Sequence, residues 1–85
     1  MADILIVEDD PTLREVLEMQ VEDMQHRPIA VGTIGEAREQ LDAACPDLML
    51  LDQQLPDGTG LELLREIHEH PCMPPVIMIT GVRDT

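Results

Sequence analysis

The hydrophobic pattern of the chain predicts four strands separated by three helices. Short apolar runs at residues 4–7, 48–51 and 76–79 have the length of strands, and a further short strand is predicted at residues 28–31. Residues 48–51 are apolar throughout, as expected for a central strand that is covered on both faces. The segments between these runs carry apolar residues at helical spacing.

Each predicted helix has a recognisable start. Asp10 can cap the first helix with Pro11 at its first position, and this helix should reach about residue 25. Capping boxes at residues 33–36 and 59–62 open the other two helices, and a Pro-Asp-Gly turn precedes the third. The buried faces are predicted to carry Leu13, Val16, Leu17 and Met24, then Ile34, Ala37, Leu41 and Ala44, then Leu61, Leu64 and Ile67.

Strands that alternate with helices predict an α/β fold, a doubly wound parallel sheet with right-handed crossovers. In such a sheet the carboxyl ends of the strands meet at one edge. Residues able to take part in phosphoryl chemistry follow three of the strands there: Glu8, Asp9 and Asp10, then Asp52, then Thr80. We therefore expect Asp9, Asp10, Asp52 and Thr80 to share one pocket, with Glu8 as a nearby loop acid.

Clustered carboxylates of this kind predict a site for a hard cation. Two like charges ~4 Å apart repel by roughly 4 kcal/mol at an effective dielectric constant near 20, so the carboxyl pKa values should be raised in the absence of metal. Oxygen ligands without Cys or His favour Mg²⁺ or Mn²⁺ over Zn²⁺. A bound cation would offset the charge of a carboxylate that attacks phosphorus. Taken singly, Asp10 is equally typical of a helix cap and Asp52 of a loop.

The composition restricts the class of partner. The 85 residues suffice for one domain, residues 1–85, and hold 18 Asp and Glu against 5 Lys and Arg, a formal charge of -13. All five cations are arginines, and Phe, Tyr and Trp are absent. This charge excludes direct contact with nucleic acid or an anionic membrane, and favours basic protein surfaces and divalent cations. Without a signal peptide or a membrane-spanning run, the chain is expected in the cytoplasm.

Several other residue types are expected to be structural. Cys45 and Cys72 are predicted to be unpaired thiols in a reducing compartment. The histidines near helix ends are predicted to lie on the surface, and the methionines at apolar positions to fill the core. These residues are His26, His68 and His70, and Met19, Met24, Met49 and Met78.

Taken together, these motifs resemble the receiver domain of bacterial two-component response regulators. The resemblance rests on Glu8-Asp9-Asp10 after the first strand, Asp52 ahead of Leu55-Pro56-Asp57-Gly58, and Thr80 after the last strand, and it covers the whole chain. It implies a flavodoxin-like fold, Mg²⁺ binding, and phosphorylation by a histidine kinase or phosphotransfer protein.

The resemblance also implies a role for each site residue. Asp52 would be the phosphoacceptor, and Asp9 and Asp10 would hold the metal directly or through water. The backbone carbonyl of Gln54 would be a further metal ligand, and Thr80 would donate a hydrogen bond to the phosphoryl group.

Two features depart from the receiver pattern. Receiver domains continue through a fifth strand and final helices, and the lysine and the aromatic switch residue of that strand have no counterpart among these 85 residues. Arg83 is expected to be a surface residue. The sheet is therefore expected to be incomplete, with an exposed fourth strand that promotes homo-oligomers by edge pairing or exchange of an element.

Three functions remain open at this stage. The first is a phosphoacceptor that is not an enzyme beyond, at most, its own phosphorylation and dephosphorylation. The second is a non-catalytic assembly or docking module, since the lysine is missing. The third is a phosphohydrolase of the haloacid dehalogenase type, although Gln54 occupies the position where that family usually has a second Asp.

Overall fold

The computed structural model describes residues 1–79 of the chain. Its helices and strands are, in order, β1 (Asp3–Val7), α1 (Pro11–Asp23), β2 (Arg27–Val31), α2 (Ile34–Ala43), β3 (Leu48–Asp52), β4 (Gln54–Leu55), β5 (Gly58–Thr59), α3 (Gly60–His68) and β6 (Val76–Ile79). The predicted alternation of strands and helices is confirmed. The turn predicted at residues 56–58 joins β4 and β5, which pair as a short antiparallel hairpin.

The four longer strands form one parallel sheet in the order β2-β1-β3-β6. The predicted α/β fold with a parallel sheet is confirmed, and β3 lies between β1 and β6 as its apolar sequence predicted. β2 begins one residue before the predicted start. Val7 stands opposite both Val31 and Leu51, so the carboxyl ends of the three strands lie at the same edge.

The two faces of the sheet are covered by different helices. Ile4 and Ile6 of β1 pack with Val21 of α1 on one face. Leu5 and Val7 point to the other face, where residues of α2 and α3 cover them. This alternation makes β1 apolar at every buried position, and it confirms the doubly wound arrangement. Among the residues described, no helix is both long and apolar enough to cross a membrane.

The caps of the helices largely follow the sequence signals. The Asp10 side chain caps α1, and Thr59 and Glu62 form the predicted capping box of α3. Thr33 caps α2 as predicted, but the Glu36 carboxylate accepts from the N–H of Gly32 at 3.2 Å, so that box lacks its reciprocal half. The first helix ends at Asp23, two residues before the predicted end. Gln25 follows with a φ of 64°, a left-handed conformation that terminates helices.

Part of the predicted core was wrong. Val16 of α1 is exposed, and so is Met24, which follows the last residue of the helix. The buried residue of α1 is Val21, which continues the i, i+4 row of Leu13 and Leu17. The reason is that a helix on one sheet face buries a single narrow row, and sequence hydrophobicity alone does not choose between adjacent rows. Met19 is exposed for the same reason, whereas Met49 is buried as predicted.

The other two helices show the same effect to different degrees. Ile34, Ala37 and Leu41 of α2 are buried as predicted, but Ala44 lies beyond the helix and is exposed. In α3 the buried pair is Leu63 and Ile67, and Leu61 is exposed. Leu64, also predicted to face inward, is half-buried against the core.

The prediction of unpaired thiols was wrong, because Cys45 and Cys72 form a disulfide. The two residues lie in the α2–β3 and α3–β6 connections, and the sheet order brings these connections together at the amino edge of β3 and β6. Their Cα atoms are 5.6 Å apart, within the range of protein disulfides. Proximity between residues 27 positions apart depends on strand pairing, which residue spacing does not reveal.

Candidate metal and phosphoryl site

Three acidic side chains converge at the carboxyl edge of the sheet. Glu8 and Asp9 directly follow β1, and Asp52 is the last residue of β3. Because Val7 pairs with Leu51 in the parallel ladder, Glu8 and Asp52 extend from neighbouring positions of adjacent strands. The ligand atoms of Glu8, Asp9 and Asp52 all lie within 4.8 Å of one another. We call these three residues the acidic cluster.

The acidic cluster is unusually buried for a group of carboxylates. Glu8 is 1% exposed and Asp52 is 2% exposed, while Asp9 is half-buried. The pKa of Glu8 is raised from 4.5 to about 7, mainly by burial and also by hydrogen bonding with the side chains of Asp52 and Asp9. The N–H of Asp10, which donates to Glu8 Oε2 at 3.2 Å, acts in the opposite direction. Glu8 therefore takes up or loses a proton near neutral pH, and a bound cation would favour the loss of this proton.

Local backbone contacts hold Asp52 in position. Its Oδ1 accepts a hydrogen bond from the N–H of Gln53 at 2.8 Å, and the carbonyl of Gln53 accepts from the N–H of Gly60 at 2.8 Å. A Cβ atom at Gly60 would collide with the carbonyl oxygen of Asp52. Glycine at the first position of α3 thus lets the helix start directly against the end of β3.

An arginine lies beside the acidic cluster. Arg14 Nη1 donates to the carbonyl oxygen of Glu8 at 3.1 Å, and this side chain is half-buried. It is contributed by the first turns of α1, so the helix that Asp10 caps also brings a positive charge to the loop that carries Glu8 and Asp9. The contact links the loop after β1 to α1 and restrains it.

The structure brings together two of the predicted site acids, Asp9 and Asp52, and adds Glu8. The side chain of Asp10 caps α1 instead, with Oδ1 accepting from the N–H of Thr12 at 3.0 Å. A side chain that caps a helix faces the helix N-terminus, whereas Glu8 is the first residue after β1 and lies at the sheet edge. The sequence therefore contained a signal for Glu8. Because Asp10 was already predicted to cap α1, Glu8 and Asp9 were the acidic side chains still available for the site at the sheet edge.

The remaining predicted residues are Gln54 and Thr80. Gln54 begins β4, two residues after Asp52, and its side chain is exposed. The role of its carbonyl as a metal ligand stays a prediction. Thr80 lies outside the described residues, although β6, which precedes it, pairs with β3 so that Ile79 stands opposite Asp52.

Comparison with known proteins identifies the family. The family model described as response regulator receiver domain matches residues 4–85. The chain belongs to this family. The resemblance expected from the sequence is thus confirmed, and with it the assignment to two-component systems.

The amino acid sequence of this receiver domain is similar to those of several regulatory proteins. It is 42% identical over 77 residues to the response regulator PilR of Pseudomonas aeruginosa, covering 91% of the chain and 17% of PilR. It is 36% identical over 84 residues to the C4-dicarboxylate transport regulator DctD of the same species, covering 95% of the chain and 18% of DctD. The chain therefore spans less than one fifth of either protein.

Solved receiver structures have the same fold. The MaeR response regulator bound to beryllium trifluoride matches with a TM-score of 0.88 and 31% identity over 99% of this chain and 70% of MaeR. The TrrA response regulator of Thermotoga maritima, in complex with Mg²⁺ and BeF, matches with a TM-score of 0.90 and 28% identity over 98% of this chain and 72% of TrrA.

Proposed function

We propose that this receiver domain accepts a phosphoryl group on Asp52 from a histidine kinase or phosphotransfer protein, with Mg²⁺ or Mn²⁺ bound at the acidic cluster. The observation that carries the proposal is the convergence of Glu8, Asp9 and Asp52 within 4.8 Å at the carboxyl edge of parallel strands. Family membership supports a kinase partner. A chain charge of -13 favours a basic docking surface on that partner.

The donor set fits a hard divalent cation. Burial is the main cause of the raised pKa of Glu8, and the neighbouring Asp52 and Asp9 add to it, so the cluster is costly to ionise fully without a counterion. The direct ligands would be Glu8, Asp9 and Asp52, with the Gln54 carbonyl and, through water, Asp10 as further predicted ligands. When bound, Mg²⁺ would supply the positive charge that offsets Asp52 and the incoming phosphoryl oxygens. The Mg²⁺ and BeF complex of TrrA supports this assignment by analogy.

The proposed reaction transfers a phosphoryl group from a histidine nitrogen of the donor to a carboxylate oxygen of Asp52. A carboxylate oxygen of Asp52 attacks phosphorus of a phosphohistidine, a P–O bond forms, and the P–N bond breaks. Its electron pair stays on the imidazole nitrogen, which then takes a proton. The Gln53 N–H holds Asp52 Oδ1 during the attack. Thr80 is proposed to hydrogen-bond the phosphoryl group, and water later hydrolyses the acyl phosphate.

The proposal also covers location and self-association. Receiver domains are generally cytoplasmic, and we propose the same for this chain.

β6 lies at one end of the sheet within the described part of the chain, and Ile77 on it is 51% exposed. We propose that the 85-residue chain forms homo-oligomers through this edge. A monomeric mass by light scattering at micromolar concentration would contradict self-association.

The test of phosphorylation is the intact mass after incubation with Mg²⁺ and a small acyl phosphate. A phosphoryl adduct is expected on the wild type and on the control Asp23→Asn, which alters an exposed carboxylate at the end of α1. No adduct is expected on Asp52→Asn. Chelation of Mg²⁺ should abolish the adduct on the wild type.

Each other outcome rejects the proposal in a defined way. An adduct on Asp52→Asn equal to that on the wild type would assign the phosphoryl group to another residue. No adduct on any variant, with BeF₃⁻ and Mg²⁺ also failing to bind, would favour the non-catalytic docking module. Rapid turnover of unrelated phosphomonoesters would favour a phosphohydrolase.

A further inference from the structure

Three side-chain contacts join α2 and its following loop to α3 and its following loop. Arg38 and Asp42 lie one turn apart on α2, and Cys45 comes two residues after the helix ends. We call the three contacts the α2–α3 ladder. Its rungs are Arg38 Nε to Glu66 Oε2 at 2.8 Å, Asp42 Oδ1 to His70 Nε2 at 3.0 Å, and the Cys45–Cys72 disulfide.

The covalent rung encloses the proposed phosphoacceptor. The loop that it closes, residues 45–72, contains β3, the β4–β5 hairpin and α3. Asp52 and the Gln53 and Gly60 backbone groups that position it all lie within this loop. A cross-link at the amino edge of the sheet therefore restrains the segment that carries the site at the carboxyl edge.

The disulfide is open to attack from one side. Cys45 is exposed, whereas Cys72 is half-buried. Cys45 is therefore the more accessible of the two residues to an external thiolate, with Cys72 as the leaving group. The turn around Cys72 is held independently of the bond, because its N–H donates to His70 Nδ1 at 3.0 Å and His70 is held by Asp42. Neither contact involves a sulfur atom, so opening the bond does not itself remove them, and they can hold the two segments near each other for reoxidation.

The described core has no Phe, Tyr or Trp and consists of aliphatic side chains and methionine. A disulfide between residues 27 positions apart stabilises a fold mainly by restricting its unfolded chain. The loss of this bond is therefore expected to lower the stability of the domain.

We infer that Cys45–Cys72 is a reversible thiol–disulfide site through which a dithiol reductant controls the stability of the Asp52 segment. One thiolate of the reductant attacks Cys45 Sγ and forms a mixed disulfide, and Cys72 leaves as a thiolate that takes a proton. The second thiolate of the reductant then releases Cys45, which takes a second proton, and the reductant becomes a disulfide. Two electrons pass from the reductant to the cysteine pair. The consequence for phosphorylation rests on the proposed function.

The experiment compares the air-oxidised chain with the same chain after dithiothreitol, both without denaturant. Alkylation followed by mass spectrometry should count no free thiols before reduction and two after it. The melting temperature, followed by circular dichroism because no aromatic residue is available for fluorescence, should fall by about 15 °C. Amide exchange within residues 46–71 should rise more than exchange within β1.

Variants distinguish the effect of the disulfide on stability from that of the neighbouring non-covalent contacts. The double variant Cys45→Ser/Cys72→Ser should melt with the reduced wild type and should not respond to dithiothreitol. Arg38→Gln, which removes a non-covalent rung and keeps the disulfide, should retain the response. The wild-type comparison decides the question even where a variant does not fold.

Three results would overturn the inference. They are two alkylated thiols in the air-oxidised chain, reduction that requires denaturant, and equal melting temperatures of the two forms. If the melting temperature shifts while Asp52 gains no phosphoryl group in either form, the proposed function fails and the redox site stands. If Asp52 is phosphorylated without any redox shift, the redox inference alone fails.

Discussion

The ligand oxygen atoms of Glu8 and Asp52 lie within 4.8 Å of each other, across the neighbouring strands β1 and β3. Two ionised carboxylates this close repel one another, and a proton on one of them relieves the repulsion. Burial, together with the interaction with Asp52, raises the pKa of Glu8 to about 7, so in the absence of metal Glu8 changes its protonation state near neutral pH. Protons and cations should compete for this position.

The first prediction concerns stability against pH in the absence of metal. The folded protein keeps the Glu8 proton up to about pH 7, whereas the unfolded chain loses it near its ordinary pKa of 4.5. This contribution to stability is fully present below pH 4.5 and is lost as pH rises through 7. Glu8→Gln, which stays neutral, should exceed the wild type at pH 8 by on the order of 3 kcal/mol and match it near pH 4.5.

Urea unfolding in the presence of a chelator measures this difference. The control is Glu39→Gln, which changes an exposed carboxyl group on α2. Parallel pH profiles for Glu8→Gln and the wild type would show that Glu8 carries no raised pKa.

The second prediction concerns Mg²⁺. At ~100 times its dissociation constant, Mg²⁺ should stabilise the wild type by about 2.7 kcal/mol. Asp9→Asn should lose most of this effect because it removes a charged ligand of the acidic cluster. Asp10→Asn should keep most of it, since asparagine also caps helices well. Thermal unfolding at several Mg²⁺ concentrations measures both, and an equal loss in the two variants would restore Asp10 as a direct ligand.

The third prediction concerns the junction between β3 and α3. Gly60→Ala should destabilise the fold by about 2 kcal/mol, because its Cβ would collide with the carbonyl of Asp52. It should also slow phosphorylation, since the collision displaces the acceptor. Gly35→Ala is the control: its Cβ would meet only ordinary contacts of 3.6 and 3.9 Å, so helix propensity should make it neutral or stabilising by up to about 1 kcal/mol. Denaturant midpoints that fall equally in both variants would contradict this explanation.

The fourth prediction tests which row of α3 faces the sheet. Leu63 is 1% exposed, so Leu63→Ala should cost roughly 2 to 5 kcal/mol through the cavity that it leaves. Leu61 is 45% exposed, and Leu61→Ala should change the free energy of unfolding by less than about 0.5 kcal/mol. Chemical denaturation of the two variants shows which face of α3 is buried. A larger loss of unfolding free energy in Leu61→Ala would support the face that was predicted from the sequence.

Local signals in the sequence were sufficient for the elements and for much of the site. Asp10, Thr33 and Thr59 mark helix starts because a cap satisfies N–H groups within three residues of itself. The apolar run at residues 48–51 indicated a central strand, since both of its faces are covered. The position of Asp52 at the end of that strand followed directly from this.

The predictions that were wrong concerned which of two similar, nearby residues faces the core or the site, and this depends on tertiary packing. Val16 and Val21 are both apolar, and which one is buried depends on how α1 rotates against the sheet. Glu8 and Asp10 are both acidic, and the direction of each side chain depends on where β1 ends and α1 begins. The hydrophobic pattern of α1 is compatible with either row of residues facing the sheet. The acidic run at residues 8–10 is likewise compatible with either residue at the site.

The amino acid sequence by itself determined the order of strands and helices, the acidic edge and the receiver family, because these follow from short-range patterns and residue types. Only the tertiary structure decided that Glu8 joins Asp9 and Asp52, and that Cys45 reaches Cys72. Both results are contacts between segments far apart in the chain, and they arise from the register of β1 on β3 and of β3 on β6. Strand register is set by the packing of the whole sheet, so it cannot be read from any single segment.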